Sequence, residues 1–198
     1  MPKKSFTYRL LKKIGLNFSE GEYGQISFMH ALKRALRGIF NAILLKYCMY
    51  SVLLTPLNYR KIRPILWKWM GAKVGENVFI GYEVWMDFNN AHLIEIGNGA
   101  HITNRCLLLC HQRDISQYFY GDDSTKLPYK KGKIVIKDNV MIGMGSIIMP
   151  GITIGEGAIV AAGSLVAKDI PAWTIAAGRP AKVIKHIPQR SNDEYFDI

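Results

Sequence analysis

The sequence predicts an all-β fold over most of its length, a parallel β-helix entered through a basic helical segment. Three observations predict it. Between Ile136 and Pro171, the residues Ile136, Ile142, Ile148, Ile154, Val160 and Val166 recur every six positions. Four places after each stand Val140, Ser146, Ile152, Ala158, Ser164 and Ile170, all small or apolar. Glycines, among them Gly143, Gly145, Gly151 and Gly163, fill the places between. A period of six fits neither the 3.6 of an amphipathic helix nor the 2 of a lone strand. It fits short strands joined by tight corners, with the aliphatic residue pointing into a triangular prism.

The 198 residues suffice for one domain with a substantial core and an appendage. Three cysteines without paired spacing form no disulfide framework, so a cytoplasmic setting is expected. The net charge of +11 is confined to one end. Residues 1–72 hold 13 Lys or Arg against Glu20 and Glu22, whereas 73–198 hold 13 basic and 13 acidic residues. Such a segment suits nucleic acid, anionic lipid or an acidic substrate.

Residues 3–16 place Phe6, Leu10 and Ile14 at helical spacing among lysines and arginines, a short basic amphipathic helix. The stretch 17–25 reads as a loop. Residues 27–57 read as helical and grow more apolar toward their end, where Lys46 is the single charge. A span, a helix lying in the membrane interface and a helix packed on the core all stay open there. Residues 59–70, YRKIRPILWKWM, interleave basic residues with tryptophans in a way that suits lipid headgroups. No nucleic-acid-binding module accompanies them, so no nucleic-acid partner is expected.

Hexads begin at Val74, Ile80 and Met86 and resume at Ile96, Ile102 and Leu108 after an irregular turn. Residues 109–135 then break the period and are read as a loop thrown out from one corner; long loops of this kind are often functional. After Pro171 the pattern predicts a final strand, a turn at Gly178–Pro180 and a short basic helix. The domain reading is therefore a helical segment 1–72, a β-helix 73–187 and a tail 188–198.

The hexads at 74–108 and 136–170, followed by AAGRPAKVI, resemble the hexapeptide-repeat acyltransferases. Within these they are similar to the galactoside and maltose acetyltransferases and to the O-acetyltransferases of surface-polysaccharide clusters. The resemblance covers about residues 71–187. It implies a left-handed coil, a homotrimer with active sites in clefts between neighbouring prisms, and acetyl-CoA as co-substrate. The segment from Asn58 to Gly81 is similar to the entry helix of polysaccharide-modifying members. That points to a glycan acceptor, handled at the cytoplasmic face of a membrane with which residues 1–72 associate peripherally.

Acyl transfer from a thioester to a hydroxyl needs a base, oxyanion donors and held substrates. Histidine suits the first task near neutral pH. Of five histidines, His111 stands at the mouth of the extruded loop, where the resemblance implies the catalytic base. Its second ring nitrogen should be held by a carbonyl or carboxylate. Asp87 and Asn89 fall where the sugar acetyltransferases bind the acceptor; a plain turn aspartate is the alternative. The same resemblance maps the pantetheine channel onto Gly143, Met144, Ala162 and Gly163, and the nucleotide end onto Ala167, Lys168, Lys182 and Lys185, with Arg179 a further candidate; solvated charges on the last coil and helix are the alternative. One departure is Met141, where the family usually has tryptophan.

Cys106, Cys110 and His111 match no zinc template, so no metal is expected and direct transfer is favoured over an acyl-enzyme. The expected function is O-acetylation of a cell-surface polysaccharide or its lipid-linked precursor. A free sugar, an amino sugar or an antibiotic is the alternative acceptor, and a non-catalytic β-helix scaffold is the alternative class.

Overall fold

A computed structural model describes residues 4–16 and 20–189. From Arg190 onward the expected tail lies outside the described residues, as do residues 1–3 and 17–19.

The chain opens with α1 (Phe6–Lys13), whose N-cap Ser5 accepts a hydrogen bond from the Tyr8 N–H at 3.1 Å. A single turn, α2 (Glu20–Tyr23), occupies part of the expected loop. Helix α3 (Phe28–Tyr50) is capped by Ser27 and stops at Ser51, ahead of Pro56, so the expected helix to 57 ends early. A π-helical turn at Asn58–Ile62 leads into α4 (Arg63–Met70), which has Pro64 in its first turn and ends on Gly71 at φ 113°.

The β-helix follows. Coil one is β1 (Lys73–Val74), β2 (Phe79–Ile80) and β3 (Trp85–Met86). Coil two is β4 (Ile94–Ile96), β5 (His101–Ile102) and β6 (Leu107–Leu108). The excursion then carries a two-stranded hairpin, β7 (His111–Arg113) and β8 (Tyr129–Lys131). Coil three is β9 (Ile134–Ile136), β10 (Met141–Ile142) and β11 (Ile147–Ile148). Coil four is β12 (Thr153–Ile154), β13 (Ile159–Val160) and β14 (Leu165–Val166). A bridge at Ile170 and β15 (Thr174–Gly178) begin a fifth turn. Ile134 and Val135, expected in the loop, are already in strand β9.

Like strands stack in parallel into three faces: β1-β4-β9-β12, β2-β5-β10-β13-β15 and β3-β6-β11-β14. Ile142 lies between Ile102 and Val160, and Ile148 between Leu108 and Val166, so each hexad aliphatic heads a column inside the prism. Ile102, Leu108, Ile142, Ile148, Ile154, Val160 and Val166 are fully buried. Burying each such side chain stabilises the fold by about 1.5–3 kcal/mol. The tight turn of each corner is made one residue before the small inward one. Asn139, Gly145, Gly151, Gly157 and Gly163 take positive φ there, which glycine and asparagine adopt most readily.

After Gly178 the chain forms β16 (Ala181–His186), antiparallel to β15. This corrects the expected short C-terminal helix. The last coil leaves the backbone of β15 open on one side, and a chain reversed at Gly178–Pro180 satisfies it. At the other end, the fully buried Arg63 plugs the first coil. Its guanidinium donates to the carbonyls of Ile80 (3.1 Å), Ser51 (3.1 Å) and Gly81, between the rings of Tyr59 and Tyr82.

Candidate active site

The prism has three edges, and the two irregular stretches of the sequence leave it from the same one. The turn 87–93 follows β3, and the excursion 109–133 follows β6, one coil further along. Asp87 and His111 therefore meet although they are 24 residues apart. The Asp87 carboxylate takes a hydrogen bond from His111 Nδ1 through Oδ2, and from Asn90 Nδ2 at 2.9 Å. Asp87 is 2% exposed, while the His111 side chain is 37% exposed. His111 Nε2 has no hydrogen bond among the described residues.

The hairpin stem holds the imidazole. His111 is paired with Lys131 in the β7–β8 ladder, and the Tyr129 ring meets the imidazole edge-on at 5.3 Å between centroids. The Arg113 guanidinium lies over the Tyr129 ring, 4.2 Å from its centroid. The stem closes through the Gly132 N–H, which donates to the Cys110 carbonyl at 2.9 Å. A Cβ on Gly132 would come within 2.3 Å of the Gly151 nitrogen, so only glycine lets the hairpin return this close to coil four.

Asn89 is exposed, and its Oδ1 stands where a Cβ on Gly38 of α3 would approach to 3.4 Å. Asn41 of the same helix donates to the Phe88 carbonyl at 3.0 Å, pinning α3 across this turn. Gly143, Met144, Ala162 and Gly163 lie together on a different edge, between the second and third faces; Gly163 N–H donates to the Met144 carbonyl at 2.7 Å. Arg179 reaches that edge through Nη1, 3.4 Å from the Gly163 carbonyl. Ala167 and Lys168 occupy the His111 edge, two coils on. Lys182 and Lys185 project from β16 and are exposed. One prism thus carries the expected base and the expected pantetheine residues on separate edges.

The structure adds residues that the sequence did not single out. Tyr129 packs against His111, and Arg113 against Tyr129, because the hairpin pairs Arg113 with Tyr129, and nothing in the period marks them. A cleft of about 430 Å³ opens on the Met144 edge between the end of α3 and coils one to three; Tyr50, Glu83 and Arg105 line it. It is not beside His111 of the same chain. Met141 is exposed on β10.

Cys106 and Cys110 are fully buried, and among the described residues no cluster of three metal-ligating side chains occurs. Burial, with the Asp87 charge adding to it, pushes the Cys110 thiol up to about 12. Burial likewise raises Cys106 and takes Cys48 to about 12. The folded protein is accordingly expected to react negligibly with an aromatic disulfide reagent at neutral pH, and all three thiols to react after unfolding. Rapid reaction of Cys110 in the native protein would instead mark a usable nucleophile.

Residues 133–168 match the family described as bacterial transferase hexapeptide (six repeats). The chain is 39% identical over 124 residues to a Schizosaccharomyces pombe protein that bears an acetyltransferase name, covering 60% of this chain and 57% of that one. It is 43% identical over 67 residues to the 2,3,4,5-tetrahydropyridine-2,6-dicarboxylate N-acetyltransferase of Clostridium perfringens, covering 34% and 28% of the two chains. The chain therefore spans less than two thirds of either relative. A galactoside acetyltransferase solved with coenzyme A has a TM-score of 0.61 at 24% identity, over 99% of this chain and 96% of that one. A maltose O-acetyltransferase of Clostridium difficile gives 0.60 at 22% identity, over 79% and 89%. Residues 133–168 are a bacterial transferase hexapeptide repeat, in a chain with the left-handed β-helix fold of the hexapeptide-repeat acetyltransferases.

Proposed function

We propose that the chain is an acetyl-CoA-dependent O-acetyltransferase whose acceptor is a hydroxyl of a cell-surface glycan or its lipid-linked precursor, with His111 as general base. The observation that carries this reading is the His111–Asp87 pair. A carboxylate on Nδ1–H fixes the tautomer that leaves a lone pair on Nε2, the form a base needs. Nε2 takes the proton of the acceptor hydroxyl as its oxygen attacks the thioester carbonyl. The imidazolium, stabilised by Asp87, returns that proton to the departing sulfur, so the histidine ends as it began.

Asp87 is thereby given a positioning role in place of direct contact with the acceptor, since both its buried position and its two donors hold it on the protein side. Asn89, exposed on the same turn, keeps the acceptor-side role. The pantetheine residues suit an extended amide chain. Gly143 and Gly163 present bare backbone, and Met144 and Ala162 stand exposed beside them on consecutive coils. Lys168, Arg179, Lys182 and Lys185 form no ion pair among the described residues and suit phosphate groups.

Because base and channel stand on separate edges, a complete site requires the His111 edge of one copy to face the Met144 edge of the next. Three copies related by a rotation close such a ring, which supports the expected homotrimer. The structural neighbours named as a maltose O-acetyltransferase and a galactoside acetyltransferase support a sugar acceptor, and the N-acetyltransferase relative keeps an amine acceptor as the second reading.

The test is thiol release from acetyl-CoA by the purified protein against a panel of glycans, free sugars and amino sugars. Release is expected only with an acceptor, and with hydroxyl acceptors ahead of amines. Turnover limited to amino sugars would replace O-transfer by N-transfer, and no release with any acceptor would leave the scaffold reading.

A further inference from the structure

The helical segment leaves two apolar faces uncovered. In α1, Thr7 and Tyr8 are buried, while Phe6, Leu10 and the C-cap Ile14 stay exposed at spacings of four. Arg9, Lys12 and Lys13 border that stripe. Helix α3 turns Asn41, Leu45 and Cys48 inward. Its opposite side exposes Leu32, Leu36, Ile39 and Ile43 at alternating spacings of four and three. The stripe has Lys46 within it and Lys33 at its border, and the apolar run continues past the helix in exposed Val52, Leu53 and Leu54.

Charge decides what fits these faces. Residues 1–72 contain Glu20 and Glu22 as their only acids, and Glu20 is tied to Lys4 at 2.6 Å. A second copy docked on the α3 stripe would bring the same cations, with no acidic residue on either helix to answer them. An anionic lipid surface offers opposite charge outside and hydrocarbon beneath, which matches apolar stripes bordered by lysine and arginine. Among the described residues no helix is long and apolar enough to cross a membrane, so the fitting arrangement is a pair of helices lying in the interface.

We propose that α1 and the outer face of α3 form an in-plane anchor for anionic bilayers, with Phe6, Leu10, Ile14, Leu36, Ile39 and Ile43 entering the acyl boundary. The anchor holds the prism at the surface and requires no activity of the site.

The test is co-sedimentation of the full chain with vesicles of phosphatidylcholine alone or mixed equally with phosphatidylglycerol. Binding is expected to the mixed vesicles, weak to the neutral ones, and to decline as salt is raised. Ile39→Glu with Ile43→Glu, and separately Lys12→Glu with Lys13→Glu, should each lower partitioning at least about tenfold. Circular dichroism should not change, because all four side chains are exposed. Absence of binding to the mixed vesicles overturns the anchor, as does equal binding of wild type and both variants. Should Ile39→Glu with Ile43→Glu leave vesicle binding intact but shrink the particle in solution, the α3 stripe is a seam between copies and the proposal fails.

Discussion

Acetyl transfer by the His111→Ala variant is expected to fall at least about 10²-fold, the contribution of a positioned general base. The loss should appear in kcat, with KM for acetyl-CoA little changed, because in the proposed mechanism the imidazole acts on the acceptor hydroxyl and not on the nucleotide. Asp87→Asn gives the sharper result. An amide in that place can donate to Nδ1, which moves the ring proton to Nε2 and removes the lone pair that takes the hydroxyl proton; a loss of about 10²-fold or more follows. Asparagine is nearly isosteric, but an amide nitrogen in the Oδ2 place leaves Asn90 Nδ2 without its acceptor, so a modest loss of stability, about 1–2 kcal/mol, is expected beside the loss of rate. Steady-state rates with the best acceptor, alongside thermal unfolding, separate the two contributions. Wild-type turnover in His111→Ala would remove this residue from the chemistry, and wild-type turnover in Asp87→Asn would reduce the carboxylate to a packing group.

The Gly143→Ala variant should unfold far more easily than Gly145→Ala, although Gly145 is the one with positive φ. A Cβ on Gly143 would lie 2.4 Å from the Ala162 nitrogen and 2.7 Å from its Cα. Those atoms are backbone of the next coil, held by the Gly143 N–H bond to the Val160 carbonyl at 2.8 Å and the Gly163 N–H bond to the Met144 carbonyl at 2.7 Å. They cannot step aside without opening the ladder. The cost is expected at about 3 kcal/mol or more, the upper end for overpacking, and the melting temperature should drop by roughly 6–12 °C. Gly145, at φ 71°, has nothing within 4 Å of its Cβ position. Alanine there meets only the left-handed conformation, about 1–2 kcal/mol. Thermal melts of the two variants decide it, and a neutral Gly143→Ala would mean that the coils are not stacked as closely as described.

The difference between those glycines shows where sequence reading stops. Both occupy corners of the repeat and look alike in the pattern. Only stacking reveals that one faces open space and the other a neighbouring backbone. The C-terminal strand β16 makes the same point. Lys182 to Lys185, seen alone, read as a basic helix. The unpaired edge of β15 makes a strand there more favourable than any local propensity of that short stretch. Helix α3 was legible as a helix from its spacing, but its two apolar sides were not separable until α4 and the first coil covered one of them.

The candidate site divides likewise. His111 could be singled out because the period breaks beside it and the family resemblance implies the catalytic histidine at that place. Its partnership with Asp87 could not, because that contact is set by which corner each excursion leaves from. On its irregular turn Asp87 could be read as an acceptor ligand or as a plain turn aspartate, and only the folded structure shows its carboxylate buried against His111 and Asn90. Tyr129 and Arg113 were invisible for a related reason: a hairpin inside a loop has no period to betray it.

A six-residue period is local information, since each hexad states on its own which side chain turns inward. For that reason the chain alone was enough to specify the prism, its aliphatic columns and the basic character of its first 72 residues. The corners carry no such local label. Hexads are interchangeable along the coil, and the edge on which a residue emerges depends on how many residues each irregular turn inserts before it. Only the stacked structure counts those insertions. It brings Asp87 under His111, keeps Gly143 and Met144 on another edge, and leaves the outer sides of α1 and α3 uncovered.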